Sequence, residues 1–294
     1  MKYDNHKEEW SKALHDTERN KVAETWLQDD TLDYELHMEI RQMVLPIIKS
    51  YPSSSWLTVG DGRWGSDSIA LKKLGAKYVH ASDMSDQLLK IAHKKELLDD
   101  FSEQNAENLK FADNSFDFVY CKDALHHVPR PFIAIEEMYR VAKYGVVFSE
   151  PLDSIISSPK LGFLFNFLKK LMKRKIDFHA FEEVGNYVYM FSPHEIEKFL
   201  LGRHKTIFYF KKFDDFYIKG VEFAKKSSGD GKYKKLKMKI ENLKLKAKLL
   251  RFLGLKEFTS FTAFIPKQSV KKECEEFLLK DSWSKKQLPE NPYI

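Results

Sequence analysis

The stretch from Trp56 to Asp83, WLTVGDGRWGSDSIALKKLGAKYVHASD, constrains the fold more than any other part of this chain. A short apolar run, a glycine turn, a helical segment and a second apolar run ending on an acid follow one another, which is the order of a βαβ nucleotide-binding unit. Gly60, Gly62 and Gly65 form a GxGxxG, a pattern that ordinary strand-to-helix turns also produce and that takes its meaning from context. The context is supplied by Leu57–Val59 as the incoming strand, Ser66–Leu74 as helix, and Tyr78–Ala81 as a second strand delivering Asp83 to its carboxyl end. A glycine turn there lets backbone approach a ligand closely, and an acid after the second strand can accept both hydroxyls of a ribose. The first reading this invites is a nicotinamide dehydrogenase.

The rest of the chain continues the strand and helix rhythm. Runs at 56–59, 78–82, 116–121, 144–149, 206–213 and 258–265, with a weak one near Glu103, predict seven strands. The expected fold is α/β: a Rossmann-like, seven-stranded, mostly parallel sheet with helices on both faces, the last two strands pairing as an antiparallel hairpin at its edge. Before the first strand, Leu32, Leu36 and Ile40, then Met43, Val44 and Ile47, recur at helical spacing, so residues 1–50 read as a helical cap at the mouth of the site, with Pro46 bending or ending its second helix. Ser85–Leu98 reads as a helix capped by Ser85, and Ser192 opens a capping box, SPHE. Between Asp153 and Glu183 the rhythm fails: Leu161, Leu164, Phe165, Leu168, Leu171 and Met172 form one stripe beside lysines, which predicts a basic amphipathic lid helix within an acceptor-side segment, residues 152–205. Core residues 51–151, a second core part at 206–266 interrupted by an insertion at 214–256, and a tail at 267–294 complete the expected division.

The formal charge of +6 sits in one place, because Lys232–Lys256 carries ten Lys or Arg against one Glu, a local +9 that leaves the remainder at −3. That segment reads as a helix packed through Leu236, Ile240, Leu243, Ala247 and Leu250, with an anionic membrane surface or an acidic substrate as its expected contact. Cys121 and Cys274 are far apart and lack metal-ligand spacing, so neither a disulfide framework nor a zinc site is expected. The charged start, MKYDNHKEEW, lacks a signal-peptide pattern, and no apolar run approaches a membrane span. The expected location is cytoplasmic, in one version peripheral at the inner membrane face.

The stretch QNAENLKFADNSFDFVYCKDALHHV argues against a dehydrogenase. It resembles class I S-adenosylmethionine-dependent methyltransferases, and most closely the group of small-molecule methyltransferases whose pattern runs GDAENLPFPDNSFD followed by a strand and LHHV. The resemblance covers about residues 51–151. It implies S-adenosyl-L-methionine as cofactor, with Gly60, Asp61, Gly62 and Gly65 around its methionine end, Asp83 on the ribose, Met84 against the adenine, Asn105 and Ala106 at the adenine edge, and Lys122 lining the sulfonium site. Thr58, Trp64 and Asn105 depart from the family pattern, which more often has Asp, Gly and Asp there.

For a hydroxyl acceptor such a reaction needs proton removal, and His126 and His127, just beyond the fourth strand, suit that task. Some sugar O-methyltransferases resemble this chain in pairing two such histidines with an acid after the fifth strand, here Glu150. The segments GNYVYMFSPHEIEKFLLG and FKKFDDFYIKGVEF look similar to parts of methyltransferases associated with bacterial surface-polysaccharide synthesis, and His179, Tyr187, Tyr189 and His194 would suit a saccharide acceptor. The expected function is O-methylation of a small-molecule or sugar acceptor. Two alternatives stay open: an RNA methyltransferase gripping phosphates through the basic helix, disfavoured because the fourth strand ends in Cys-Lys-Asp-Ala and not Asn-Pro-Pro-Tyr or Pro-Cys, and an inactive methyltransferase fold that binds a partner.

Overall fold

Alternate residues of the central strands point to opposite sides and both sides are apolar, which is the sequence signature of a sheet covered on both faces. In the computed structural model, described for residues 17–153, 180–181, 187–203, 207–229 and 231–293, the strands are β1 (Ser55–Val59), β2 (Tyr78–Asp83), β3 (Asp100–Glu103), β4 (Phe116–Lys122), β5 (Ala142–Pro151), the two-residue pair β6 (Ala180–Phe181) and β7 (Tyr187–Val188), β8 (Ile207–Phe213), β9 (Ser260–Pro266) and β10 (Ser284–Gln287). The helices are α1 (Thr17–Thr25), α2 (Leu32–Arg41), α3 (Leu45–Ser50), α4 (Ser66–Lys73), α5 (Gln87–Lys94), α6 (Pro131–Val141), α7 (Pro193–Leu201), α8 (Lys232–Phe252) and α9 (Lys272–Lys280). Leu57, Val59, Val119, Cys121, Val146 and Phe148 pack against α6 and α7 on one face, while Trp56, Phe118, Tyr120 and Val147 meet α3, α4 and α9 on the other. Both cysteines are buried and reduced.

The main sheet runs β10-β8-β9-β5-β4-β1-β2-β3. From β3 to β5 the pairings are parallel, whereas β9 is antiparallel to both β5 and β8. Strand order reverses at the β1/β4 boundary, the switch point where open α/β sheets leave a crevice beyond their carboxyl ends.

All seven expected strands are present in the main sheet, and its eighth was missed, as was the separate pair β6 and β7. Residues 284–287, SKKQ, pair antiparallel with β8, so the β8–β9 hairpin does not form the edge. These four residues carry no apolar alternation, because an edge strand packed by its neighbour alone needs none. Pro46 opens α3 as one of its first residues and does not end a helix, a position that suits its missing N–H. The helix expected over 85–98 is shortened to α5, stopped by Glu96 at φ 59°. The capping box at Ser192 and Glu195 is formed in both directions. The lid helix expected at 161–175 and His179 lie outside the described residues.

Candidate active site

The crevice is built by the loops after β1, β2, β4 and β5, and the expected site residues divide by exposure. Gly60, Gly62, Asp83, Met84, Asn105, Ala106, His126 and His127 are partly open to solvent, whereas Asp61, Gly65, Lys122 and Glu150 are buried.

After β1 the chain turns at Gly60, φ 76°, and a Cβ there would stand 2.3 Å from Ala124 Cβ. The first loop is thereby pressed onto the loop after β4. Asp61 then turns inward. Its carboxylate accepts from the backbone N–H groups of Asp67 (3.0 Å) and Ser68 (2.9 Å) and from the hydroxyls of Ser68 (2.8 Å) and Thr58 (2.9 Å). It serves as the cap of α4, whose own first residues supply the donors. Burial, reinforced by Asp67, pushes the Asp61 carboxyl up to about 7. The side chain expected at a ligand therefore holds the loop in shape and leaves only the loop backbone for contact. Trp64 adopts φ 62°, the left-handed conformation that glycine reaches without strain, and its ring is buried with Leu89 and Leu98.

Asp83 is held in the opposite sense, toward the crevice. Its Oδ2 accepts the Gly62 N–H at 2.9 Å and its Oδ1 the Ser85 N–H at 2.8 Å. A Cβ on Gly62 would fall 2.7 Å from Asp83 Cγ, so only glycine allows this approach. Burial raises the Asp83 carboxyl to about 6, against the lowering pull of the Ser85, Gly62 and Met84 amides. Across the sheet edge, Asn105 spends its side-chain oxygen on the Glu107 N–H (2.9 Å), a local turn. It keeps one acceptor site on that oxygen and adds the amide NH2, a donor, where an aspartate would offer only acceptors and a charge.

At the end of β4, Lys122 is buried between α2 and the loop that follows. Its ammonium reaches His37 Nδ1 of α2 at 2.9 Å and pairs with Asp123. The Lys122 charge first, and burial second, hold the His37 imidazole well below its ordinary value, so it accepts as the neutral ring. Burial alone would raise Asp123, but Lys122 brings it below the ordinary carboxylate value. Lys122 thus ties the α2 cap to the sheet, a role the sequence did not disclose because 85 residues separate it from His37.

Glu150, fully buried near the end of β5, accepts from the backbone N–H groups of Ala124 (3.1 Å), Leu125 (2.8 Å) and His126 (3.4 Å) and from His126 Nδ1 at 2.6 Å. With Nδ1 donating, Nε2 is the basic nitrogen of His126. The ring of His127 lies against it, centroids 3.9 Å apart. Such an arrangement can take a proton from an acceptor and stabilise the resulting imidazolium by the buried carboxylate. Glu150 orients and does not itself reach a reacting atom.

Of the aromatic candidates, Tyr189 stands beside the His126 turn, its N–H donating to the His126 carbonyl at 2.8 Å. Tyr189 packs on Phe191 and Phe132 and gives its hydroxyl to Glu195, while His194 is a surface residue beside Glu197. The side chain of Tyr187 lies outside the described residues. Among the described residues no cluster of metal-ligating side chains occurs, and no helix is long and apolar enough to cross a membrane.

The chain is similar to known proteins over part of its length. Residues 57–149 match a family model described as a methyltransferase domain. The chain is 31% identical over 137 residues to a ubiquinone/menaquinone biosynthesis C-methyltransferase of Rhizobium rhizogenes, covering 43% of this chain and 53% of that protein. It is 28% identical over 123 residues to a demethylmenaquinone methyltransferase of Listeria monocytogenes, covering 40% of this chain and 52% of the relative. The chain therefore spans about half the length of these curated relatives. A putative methyltransferase of Bacillus halodurans superposes with a TM-score of 0.44 at 18% identity, over 76% of this chain and 99% of that one. The stretch 57–149 is a class I S-adenosylmethionine-dependent methyltransferase domain, as its sequence motifs implied.

Proposed function

We propose that the chain is an S-adenosylmethionine-dependent methyltransferase that uses His126, oriented by Glu150, to deprotonate a hydroxyl of its acceptor. The observation that carries this reading is the His126–Glu150 pair at 2.6 Å, joined to the glycine loop through Ala124, whose N–H binds Glu150 and whose Cβ abuts Gly60.

The residues fit the cofactor. A carboxylate fixed at the carboxyl end of β2, with acceptor capacity left beside its backbone amide bonds, suits a ribose diol. Glycine backbone at the switch point suits the amino-acid end. When bound, S-adenosylmethionine supplies a methyl group already activated as a sulfonium, so alignment and proton removal are what remain for the protein. His126 Nε2 takes the acceptor proton, and the Glu150 carboxylate offsets the charge this leaves on the ring without moving, because three backbone amides hold it.

O-methylation is the leading form of this reading, and its saccharide version rests on the sequence resemblance, with Tyr189 beside the His126 turn and His194 on the surface next to Glu197. A second reading, methylation at carbon, is favoured by the name of the Rhizobium relative, a C-methyltransferase, and the acceptor would then be a hydroxylated ring. It needs the same base, because ionising a ring hydroxyl activates the adjacent carbon.

Titration calorimetry with S-adenosylmethionine and with a nicotinamide dinucleotide tests the cofactor; binding of the second alone overturns the assignment. Product screening with a labelled methyl group, followed by NMR of the product, separates an O-methyl from a C-methyl outcome.

A further inference from the structure

Helix α8 has two apolar faces. Ile240 and Ala247 are buried at 2% and 1% exposure, and Leu36 of α2 packs in the same cluster as Ile240. On the opposite side Met238, Leu245, Leu249 and Phe252, spaced 7, 4 and 3 residues apart, share one face and are 61%, 68%, 59% and 87% exposed. A merely solvated outer face would carry polar residues at those positions. Lys235, Lys239 and Lys246 flank this stripe on one side, and Lys234 and Lys248, with Glu241 between them, on the other, all exposed and the lysines without an ion-pair partner among the described residues. Lys237, Lys244 and Arg251, by contrast, turn inward to Glu35, Glu39 and Asp214. The helix thus spends its inward cations on the fold and leaves an apolar stripe rimmed by unpaired ones.

We infer that the outer face of α8 docks in the plane of a phospholipid bilayer that carries anionic lipids. An apolar stripe about two side chains wide can sink to the acyl boundary while lysine stems lie alongside it with their ammonium groups at the phosphates. Positive charge on both rims complements that surface and no neutral one. A cavity of about 500 Å³ lies between α2 and α8, lined by Leu36, Ile40, Met43, Phe213 and Phe258, and Leu245 and Lys248 of the docking face also line it. Docking by this face therefore brings the cavity beside the lipid.

The test is co-sedimentation of the full chain with phosphatidylglycerol/phosphatidylcholine vesicles and with pure phosphatidylcholine vesicles, at low and high salt. The chain is expected to pellet with the mixed vesicles at low salt only. Lys239→Glu with Lys246→Glu should cut that binding at least about 30-fold, since each basic residue near such a surface contributes about 1 kcal/mol. Met238→Glu with Phe252→Glu should abolish it with thermal stability unchanged; if that variant fails to fold, the lysine pair and the lipid comparison decide. The inference is overturned if the wild-type chain stays in solution with mixed vesicles at low salt, or if binding survives both pairs of substitutions. It is equally overturned if sedimentation velocity shows a dimer that Met238→Glu with Phe252→Glu separates, or if RNA but not vesicles is bound through these lysines.

Discussion

Two loops meet at the switch point of the sheet, and they are made differently. The one after β1 is shaped by its own backbone: Gly60 and Gly62 permit close approaches, and Asp61 turns its carboxylate into the first turn of α4. The one after β4 is shaped by side chains from afar, with Lys122 held by α2 and His126 by Glu150 of β5. A loop that must fit an invariant cofactor can be self-contained. A loop that must meet an acceptor takes its chemistry from the surrounding elements, so it can change with them.

If this division holds, damage to the second loop should lower turnover and damage to the first should lower affinity. The largest effect is expected from His126→Ala, which should reduce turnover about 10²- to 10⁴-fold, the usual contribution of a general base, while calorimetry shows unchanged cofactor affinity. His127→Ala should cost far less; equal losses from both would erase the distinction between the two rings. Next, Gly62→Ala should weaken S-adenosylhomocysteine binding about tenfold or more, because the new Cβ meets Asp83 Cγ at 2.7 Å and displaces the group meant for the ribose. Gly62 is absent from the left-handed region, so this change tests close approach without adding backbone strain.

A pH titration sharpens the comparison further. The Asp83 carboxyl, raised to about 6 in the fold, should bind a diol best when ionised, so affinity should fall as pH drops through 6 in the wild type and stay flat in Asp83→Asn. Folding stability carries the opposite sign. A carboxyl raised on folding contributes stability that is complete below its unfolded value near 3.8 and is lost as pH rises through about 6. Melting curves of the unliganded proteins should therefore show the wild type losing ground to Asp83→Asn over that window. The smallest effect is expected from Thr58→Val, which removes one buried hydroxyl bonded to Asp61 and Ser68, costing about 1–2 kcal/mol of stability with no change in affinity.

What was legible in the sequence follows the same line. The βαβ unit, the seven strands and the capping box at Ser192 rest on local patterns, and each is found in the structure; of the two histidines that the resemblance set with Glu150, it is His126 whose ring bonds it, which no motif specified. Asp61 was visible but its direction was not, because that depends on donors six and seven residues later. The departure at Thr58 becomes intelligible only beside it, since the threonine hydroxyl completes the cap that Asp61 supplies. The bond of Lys122 to His37 of α2 joins residues too far apart for any local pattern to reveal. The outer stripe of α8 was hidden by the inner one: opposed apolar faces cancel in any reading that seeks a single seam, and Leu236, Ile240 and Ala247 satisfied that search first.

The short strand β10 also governs how this protein can be trimmed. It covers the outer backbone of β8, IFYFKKF, with a rim that bears Lys285 and Lys286, tied to Glu275 and Glu197. A chain cut before Ser284 would leave an aromatic-rich strand with open hydrogen-bonding groups, a template onto which other chains can add. The tail is thus a guard against self-association, and tags or fusions at that end belong after Leu288, outside the strand that seals the sheet.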